Sequence, residues 1–147
     1  YEQIDATFKG IDAQVNFKAS ERWSFQQKSS LVYAFDEKNH AYLVNIPANR
    51  FEYLIRHQFP KNKQYVSVGL TQVSQQTRVE INSDYAPPTA GYFLVQANWG
   101  ISIKSFDMGI TINNALNQAY RDYLNRFRYY ADDQGINASI RLTYRFS

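Results

Sequence analysis

The chain has no cysteine, which excludes a disulfide framework and any thiolate metal centre. It has only two histidines, His40 and His57, which lie in different segments without ligand spacing. No metal site and no cofactor are expected. No run of apolar residues is longer than the five from Leu31 to Phe35, whereas a membrane-spanning helix needs roughly 20. There is no Gly-rich phosphate loop and no nucleophile elbow, so the sequence makes no case for catalysis and no catalytic residue is assigned. Net charge is only +3 and scattered, too weak a signal for nucleic acid. The chain opens at Tyr1 with neither Met nor a visible signal peptide, which suggests a mature form or a piece of something longer.

What is present is aromatic and polar at once: 12 Tyr, 10 Phe and 2 Trp in 147 residues, at a mean hydropathy of −0.52. The pattern alternates with period two, the signature of strands with two unlike faces. Ile136, Ala138, Ile140, Leu142, Tyr144 and Phe146 alternate with Asn137, Ser139, Arg141, Thr143 and Arg145. Phe106, Met108, Ile110 and Ile112 alternate with Asp107, Gly109, Thr111 and Asn113. Similar stripes predict seven strands, at about 3–18, 22–36, 49–59, 64–80, 90–100, 104–114 and 135–146. Within the first, Ile4, Ala6 and Phe8 are out of phase with Ile11, Ala13, Val15 and Phe17, which predicts a β-bulge at Gly10.

The links alternate in length, short at 19–21, 60–63 and 101–103 and long at 37–48, 81–89 and 115–134. That is the plan of an outer-membrane barrel with tight periplasmic turns and long outer loops. The apolar stripes suit either a soluble β-core of lipocalin type or a lipid-facing band. Strand length, loop asymmetry and aromatic placement favour lipid. Ile110, Ile112, Ile136, Ile140 and Leu142 are then lipid-facing. Trp23, Trp99, Tyr144 and Phe146, with Phe25 and Phe59, form an aromatic girdle at the short-turn end, and Phe35, Phe51 and Phe93 form one at the other. Charges cannot sit at mid-depth in lipid without a cost of about 2–4 kcal/mol for Arg or Lys. Asp12, Lys18, Arg56, Asp107, Arg141 and Arg145 should therefore face a watery or protein-filled lumen. Seven is an odd number, and an open sheet in lipid leaves unpaired edges, so the chain should be part of a larger barrel.

The 115–134 link combines Arg and Tyr, a surface suited to anionic or aromatic ligands. Tyr120, Arg121, Arg126, Arg128 and Tyr130 are the candidate ligand-binding residues. The plainer reading is that its arginines pair with its aspartates and pin the loop. A short helical turn is expected over 119–127. The Asn137-Ala138-Ser139 sequon falls inside a strand, where glycosylation is implausible.

The stretch from Ile110 through Asn114, Leu116 and Asn117 to Tyr120 resembles the penultimate strand and following turn of TonB-dependent outer-membrane receptors, with Ala115 inserted before Leu116. Arg126 to Asn137 is similar to that family's lead-in to its last strand, and Ile140 to Phe146 to its terminal aromatic strand, although here Ser147 follows Phe146. Segments 6–12 and 46–51 are also similar. The resemblance implies an all-β fold in which 1–147 forms the C-terminal portion of an antiparallel transmembrane β-barrel of roughly 22 strands, its plug domain and earlier strands lying outside this chain. It implies a receptor in the bacterial outer membrane that imports a scarce nutrient, most often a ferric siderophore or other iron complex. The implied partners are the rest of the barrel and its plug, the TonB complex, outer-membrane lipid and lipopolysaccharide, and a small-molecule or metal-chelate substrate. The competing expectations are a soluble lipocalin-like binding barrel and an outer-membrane enzyme, for which only His40 is placed at the outer rim.

Overall fold

A computed structural model describes residues 5–60, 63–79 and 87–146. These form β1 (Ala6–Lys18), β2 (Trp23–Asp36), the two-residue β3 (Ala41–Tyr42), β4 (Arg50–Gln58), β5 (Tyr65–Val73), β6 (Tyr92–Ile103), β7 (Phe106–Asn113) and β8 (Asn137–Tyr144). All pair antiparallel in one sheet, ordered β1-β2-β4-β5-β6-β7-β8, with β3 appended to β2. Apart from the short β3, consecutive strands are neighbours, so the sheet is a meander. Among the described residues, the outer edges of β1 and β8 meet no further strand.

The seven expected strands are the seven long strands found. Short connections join β1 to β2, β4 to β5 and β6 to β7, and long ones join β2 to β4 (through β3), β5 to β6 and β7 to β8, so all long connections leave from one end. The tightest turn has two residues, and Lys104 takes the positive φ of 53° that such a hairpin demands.

Three expectations are corrected. There is no bulge at Gly10: β1 pairs with β2 in unbroken register from Ala6↔Asp36 to Lys18↔Ser24. Phe8 therefore points to the same side as Asp12, and Lys9 to the apolar side, opposite Tyr33. Both lie toward the long-connection end, beyond the Ile11↔Leu31 pair, where segregation of faces relaxes while the backbone ladder stays complete. No helical turn forms over 119–127, where coil and hydrogen-bonded turns replace it. The fourth long strand stops at Val73: Ser74 N–H still donates to Asn49 O (2.9 Å) as the last bond of the ladder, and beyond it only an isolated Gln76↔Thr89 bridge remains. The start of the first expected strand at residues 3–4, the end of the fourth at residue 80, Tyr1 and Ser147 lie outside the described residues.

Register sorts the side chains. One transverse row reads Val15, Gln27, Tyr53, Leu70 and Val95; the next reads Phe17, Phe25, Ile55, Val68, Ala97, Ile112 and Ala138. His57, Val66, Trp99, Ile110 and Ile140 make a third row, starting from Trp23. The opposite face carries Lys18, Ser24, Arg56, Ser67, Asn98, Thr111 and Ser139 in one row. One apolar face and one polar face thus run across every long strand.

The apolar face is not a closed core. Ile140 is 69 % exposed and Leu142 68 %, and among the described residues the buried hydrophobic ones are only Ala34, Val73, Tyr92 and Tyr123. Ile110 and Ile112 are half-buried on the same face, and Ile136 lies exposed just before β8.

Candidate functional site

Aromatic rings cluster at both ends of the apolar face. At the short-turn end the Trp23 and His57 rings lie 4.3 Å apart and His57 and Phe59 4.7 Å. Phe106, Tyr144 and Phe146 form a second chain with spacings of 5.0 and 4.8 Å. At the opposite end Tyr33, Phe35 and Tyr42 pack with centroids 5.5–6.2 Å apart, which explains why β3 docks where it does. Trp99 sits between Val66 and Ile110 in the lower row.

The polar face holds each charge assigned to a lumen. Asp12, Lys18, Arg56, Asp107 and Arg141 all lie in its rows, and Arg145, just past β8, donates to Asp107 Oδ1 at 2.8 Å. Arg56 stacks its guanidinium 3.8 Å from the centroid of the Tyr65 ring. Higher up, Arg50 Nε donates to Glu52 Oε1 at 2.7 Å, in a shallow depression shared with Asp12, Gln14, Lys28 and Ser30.

The long connections are knit together at their end of the sheet. Gln76 is fully buried: its Nε2 donates to Ile46 O (2.7 Å), its N–H to Thr89 O (3.0 Å), and its Oε1 accepts from Arg78 N–H (3.2 Å). Arg78 Nη2 reaches on to Asn49 Oδ1 (2.8 Å). A single glutamine ties two connections, and nothing in strand alternation marks it.

The connection from Asn114 to Ile136 is the most elaborate. Asn114 and Asn117 adopt φ of 46° and 50°, a region that asparagine tolerates better than most residues. Asn114 Oδ1 accepts from Gln118 N–H (2.9 Å) and its Nδ2 donates to Gln118 O (2.8 Å) and Gln134 O (3.3 Å). Asn117 Oδ1 accepts from Ile136 N–H (3.0 Å). The two asparagines close the base of the loop. Above them Asp133 accepts from Asp122 N–H (2.7 Å) and Asn125 Nδ2 (2.7 Å), and Asp122 accepts from the Tyr92 hydroxyl (2.6 Å). The Tyr92 and Tyr120 rings lie 4.6 Å apart, so the loop is fastened to the top of β6.

The five ligand candidates part company here. Tyr120 packs on Tyr92 at the stem. Arg121 Nε pairs with Asp132 Oδ1 at 2.6 Å, both half-exposed. Arg128 is only 6 % exposed: its guanidinium lies over the rings of Tyr123 (4.4 Å) and Tyr129 (5.1 Å), Nη1 donates to Tyr123 O and Nη2 to the Tyr129 hydroxyl (3.1 Å). Burial takes Arg128 out of the set offered to a ligand and gives it a structural place. Arg126 is exposed and Tyr130 is 86 % exposed, and Phe127 and Leu124 are exposed with them. Burial raises the ionisation of the Tyr120 and Tyr123 phenols above the ordinary tyrosine range, Asp133 and Asp122 adding to the effect on Tyr120. Among the described residues no group of three His, Cys, Asp or Glu side chains could hold a metal ion.

No protein-family model matches the chain, and no curated protein matches it in sequence. A solved structure of "Copper transporter OprC" matches at a TM-score of 0.88 over 97 % of this chain, at 12 % identity. The chain spans 23 % of that structure's length. That neighbour is an outer-membrane barrel protein, and the likeness shows the fold: the sheet is an antiparallel β-barrel wall.

Proposed function

We propose that this chain is the C-terminal part of the barrel of a TonB-dependent receptor in the bacterial outer membrane, supplying wall and outer loops for the import of a scarce metal-containing nutrient. The observation that carries the reading is the face separation: every long strand places apolar residues on one side and polar ones on the other, between two aromatic belts. An apolar side that is exposed and bounded by aromatics fits acyl chains, and an opposite side bearing Arg56, Asp107, Arg141 and Arg145 fits a lumen filled by a plug. The copper transporter that shares this fold supports metal transport, and the resemblance around Asn114 to Tyr120 supports the TonB-dependent class.

The ligand side belongs to the long connections. Arg121, Arg126, Phe127 and Tyr130 present guanidinium and aromatic groups together, which suits an anionic, aromatic chelate such as a ferric siderophore better than a bare cation. The reading assigns no catalytic step. The rest of the barrel, the plug, the TonB complex and outer-membrane lipid are its partners.

The test is uptake by cells whose only receptor is the full-length protein carrying this chain. A labelled ferric siderophore should enter, and entry should stop when the proton gradient is dissipated. Uptake that persists without the gradient would refute TonB dependence. Uptake of free copper but of no ferric chelate would move the substrate to the metal itself.

A further inference from the structure

The cations of the polar face are unevenly paired. Arg145 meets Asp107 at 2.8 Å, and Arg50 meets Glu52 at 2.7 Å. Among the described residues no carboxylate pairs with Lys18, Arg22 or Arg56. These three gather at one corner, where β1, β2 and β4 reach the short-turn end. Lys18 lies opposite Ser24, and Ser24 lies opposite Arg56. Gln58 N–H donates to Arg22 O at 2.7 Å, so the β2–β4 ladder runs on past Trp23 and Arg22 stands two residues from Ser24 on the same face. With neighbouring strands about 4.8 Å apart, the three cations surround Ser24 on three sides.

All three are exposed and line one depression of about 410 Å³, in which Glu21 is the one acid among the described lining residues. Neighbouring groups hold two of the cations in place. The Arg56 guanidinium stacks 3.8 Å from the Tyr65 ring centroid, and its Nη2 donates to Gln58 Oε1 (3.3 Å), while Gln58 Nε2 donates to Gln64 O (3.0 Å). Ser20 Oγ accepts from the N–H groups of Arg22 (3.2 Å) and Trp23 (3.1 Å), which fixes the turn that carries Arg22. Positioning of this kind lowers the ordering cost of binding.

We infer that this corner binds a small polyanion, a molecule carrying two or more carboxylate or phosphate groups. Three cations against one acid leave a surplus of two positive charges, which a divalent anion neutralises and a monovalent one does not. The two guanidinium groups offer forked N–H donors that match an oxyanion, and Lys18 adds a mobile point charge. The depression falls within the range of small-ligand sites, about 300–1,000 Å³. The placement of the site rests on the reading above, in which the polar face is the lumen and the short-turn end is periplasmic. The corner is then a second stop for an anionic nutrient, on the exit side, at the opposite end of the wall from the loop that bears Arg126 and Tyr130.

The experiment is calorimetric titration of the full-length protein in detergent at low salt, with pyrophosphate, citrate and the monovalent control acetate as probes. Pyrophosphate or citrate should bind at least about tenfold more tightly than acetate, and added salt should weaken that binding. The tighter of the two tells phosphate from carboxylate. Lys18→Gln with Arg22→Gln should weaken polyanion binding about tenfold, roughly threefold for each exposed charge removed. Glu21→Gln should tighten it roughly threefold, a gain that a folding defect does not mimic. Lys18→Arg with Arg22→Lys should retain it. Lys104→Asn, at another turn of the same end and with an asparagine to accept the φ of 53° there, should leave it unchanged. Equal binding of all three anions by the wild type, or polyanion binding that neither the double neutralisation nor Glu21→Gln moves, overturns the site. Gradient-dependent uptake without polyanion binding would sink only this inference. Binding that follows these variants in a protein that imports nothing would sink the transport reading and leave the site standing.

Discussion

Tyr65 lies so close to Gly100 that a Cβ on the glycine would stand 2.4 Å from Cε1 and 2.7 Å from Cζ of the ring. The two residues face each other across β5 and β6 on the polar side, and the Arg56 guanidinium stacks on the same ring. An aromatic side chain thus covers a strand glycine, a pairing that protects the ladder where glycine alone would weaken it. Gly100→Ala should displace Tyr65 and lower the stability of the assembled barrel by about 1–3 kcal/mol, the usual range for overpacking. Gly100→Ala combined with Tyr65→Ser should recover part of that loss. Urea unfolding in vesicles measures both, and equal stability of wild type and Gly100→Ala would show that the ring moves aside at no cost.

Two neighbouring positions on β8 test the assigned faces. Ile140 and Thr143 lie on opposite sides of the sheet, Ile140 opposite Ile110 and Thr143 opposite Asp107. Ile140→Arg should cost about 2–4 kcal/mol, the range for a cation at mid-depth in lipid. Thr143→Arg should cost little. Heat-modifiable migration on gels after refolding reads the difference, and similar effects from the two changes would reverse or abolish the faces.

Arg128 holds its loop by stacking as much as by hydrogen bonds. Arg128→Lys keeps the charge but loses the flat guanidinium that lies over Tyr123 and Tyr129. The expected result is faster proteolysis within 115–134 with an unchanged barrel melting temperature. A variant as protease-resistant as the wild type would show that charge alone suffices.

Alkaline pH should open the same loop. Burial raises the Tyr120 and Tyr123 phenols above the ordinary tyrosine value. Because the folded-state value exceeds the unfolded one, the protonated phenols support the fold fully below about pH 10, and that support is lost as pH rises through the folded-state values. Ultraviolet titration should therefore show at least two tyrosines ionising late, together with the onset of cleavage in 115–134. Ionisation of every tyrosine in one ordinary step would contradict the burial.

The exposed tip supplies the test of ligand capture. On the proposed function, Arg126→Ala with Tyr130→Ala should weaken binding of a ferric chelate by about tenfold, the loss of one charge-assisted contact and one stacking contact. Arg121→Ala should do less, since Arg121 is already engaged with Asp132. Calorimetric titration of the detergent-solubilised full-length protein measures each.

Much of the wall is readable in the residues because a strand with two unlike environments must alternate. Ile136 to Phe146 shows this most clearly, and β8 forms with the faces its pattern implies. Gly10 misled because a change of hydrophobic phase looks like an inserted residue. Past the apolar band, where Phe8 and Lys9 lie, the constraint on faces lapses while the ladder continues. The loops were legible in composition only. That Arg128 turns inward between two tyrosines, that Asp133 gathers Asp122 and Asn125, and that Gln76 ties two connections all depend on partners distant in sequence or on side-chain geometry. No local period encodes those choices. Asn114 and Asn117 are the exception, since two asparagines bracketing a short turn are suited to positive φ.

The sheet stops abruptly on both flanks. Along β1 and again along β8, every second peptide group points its N–H and C=O outward into a seam with nothing stitched to it among the described residues. In hydrocarbon those groups have no water to turn to. In the proposed barrel this stretch of wall would therefore owe its survival to the staves on either side, and severed from them it would seek out the raw flank of another copy.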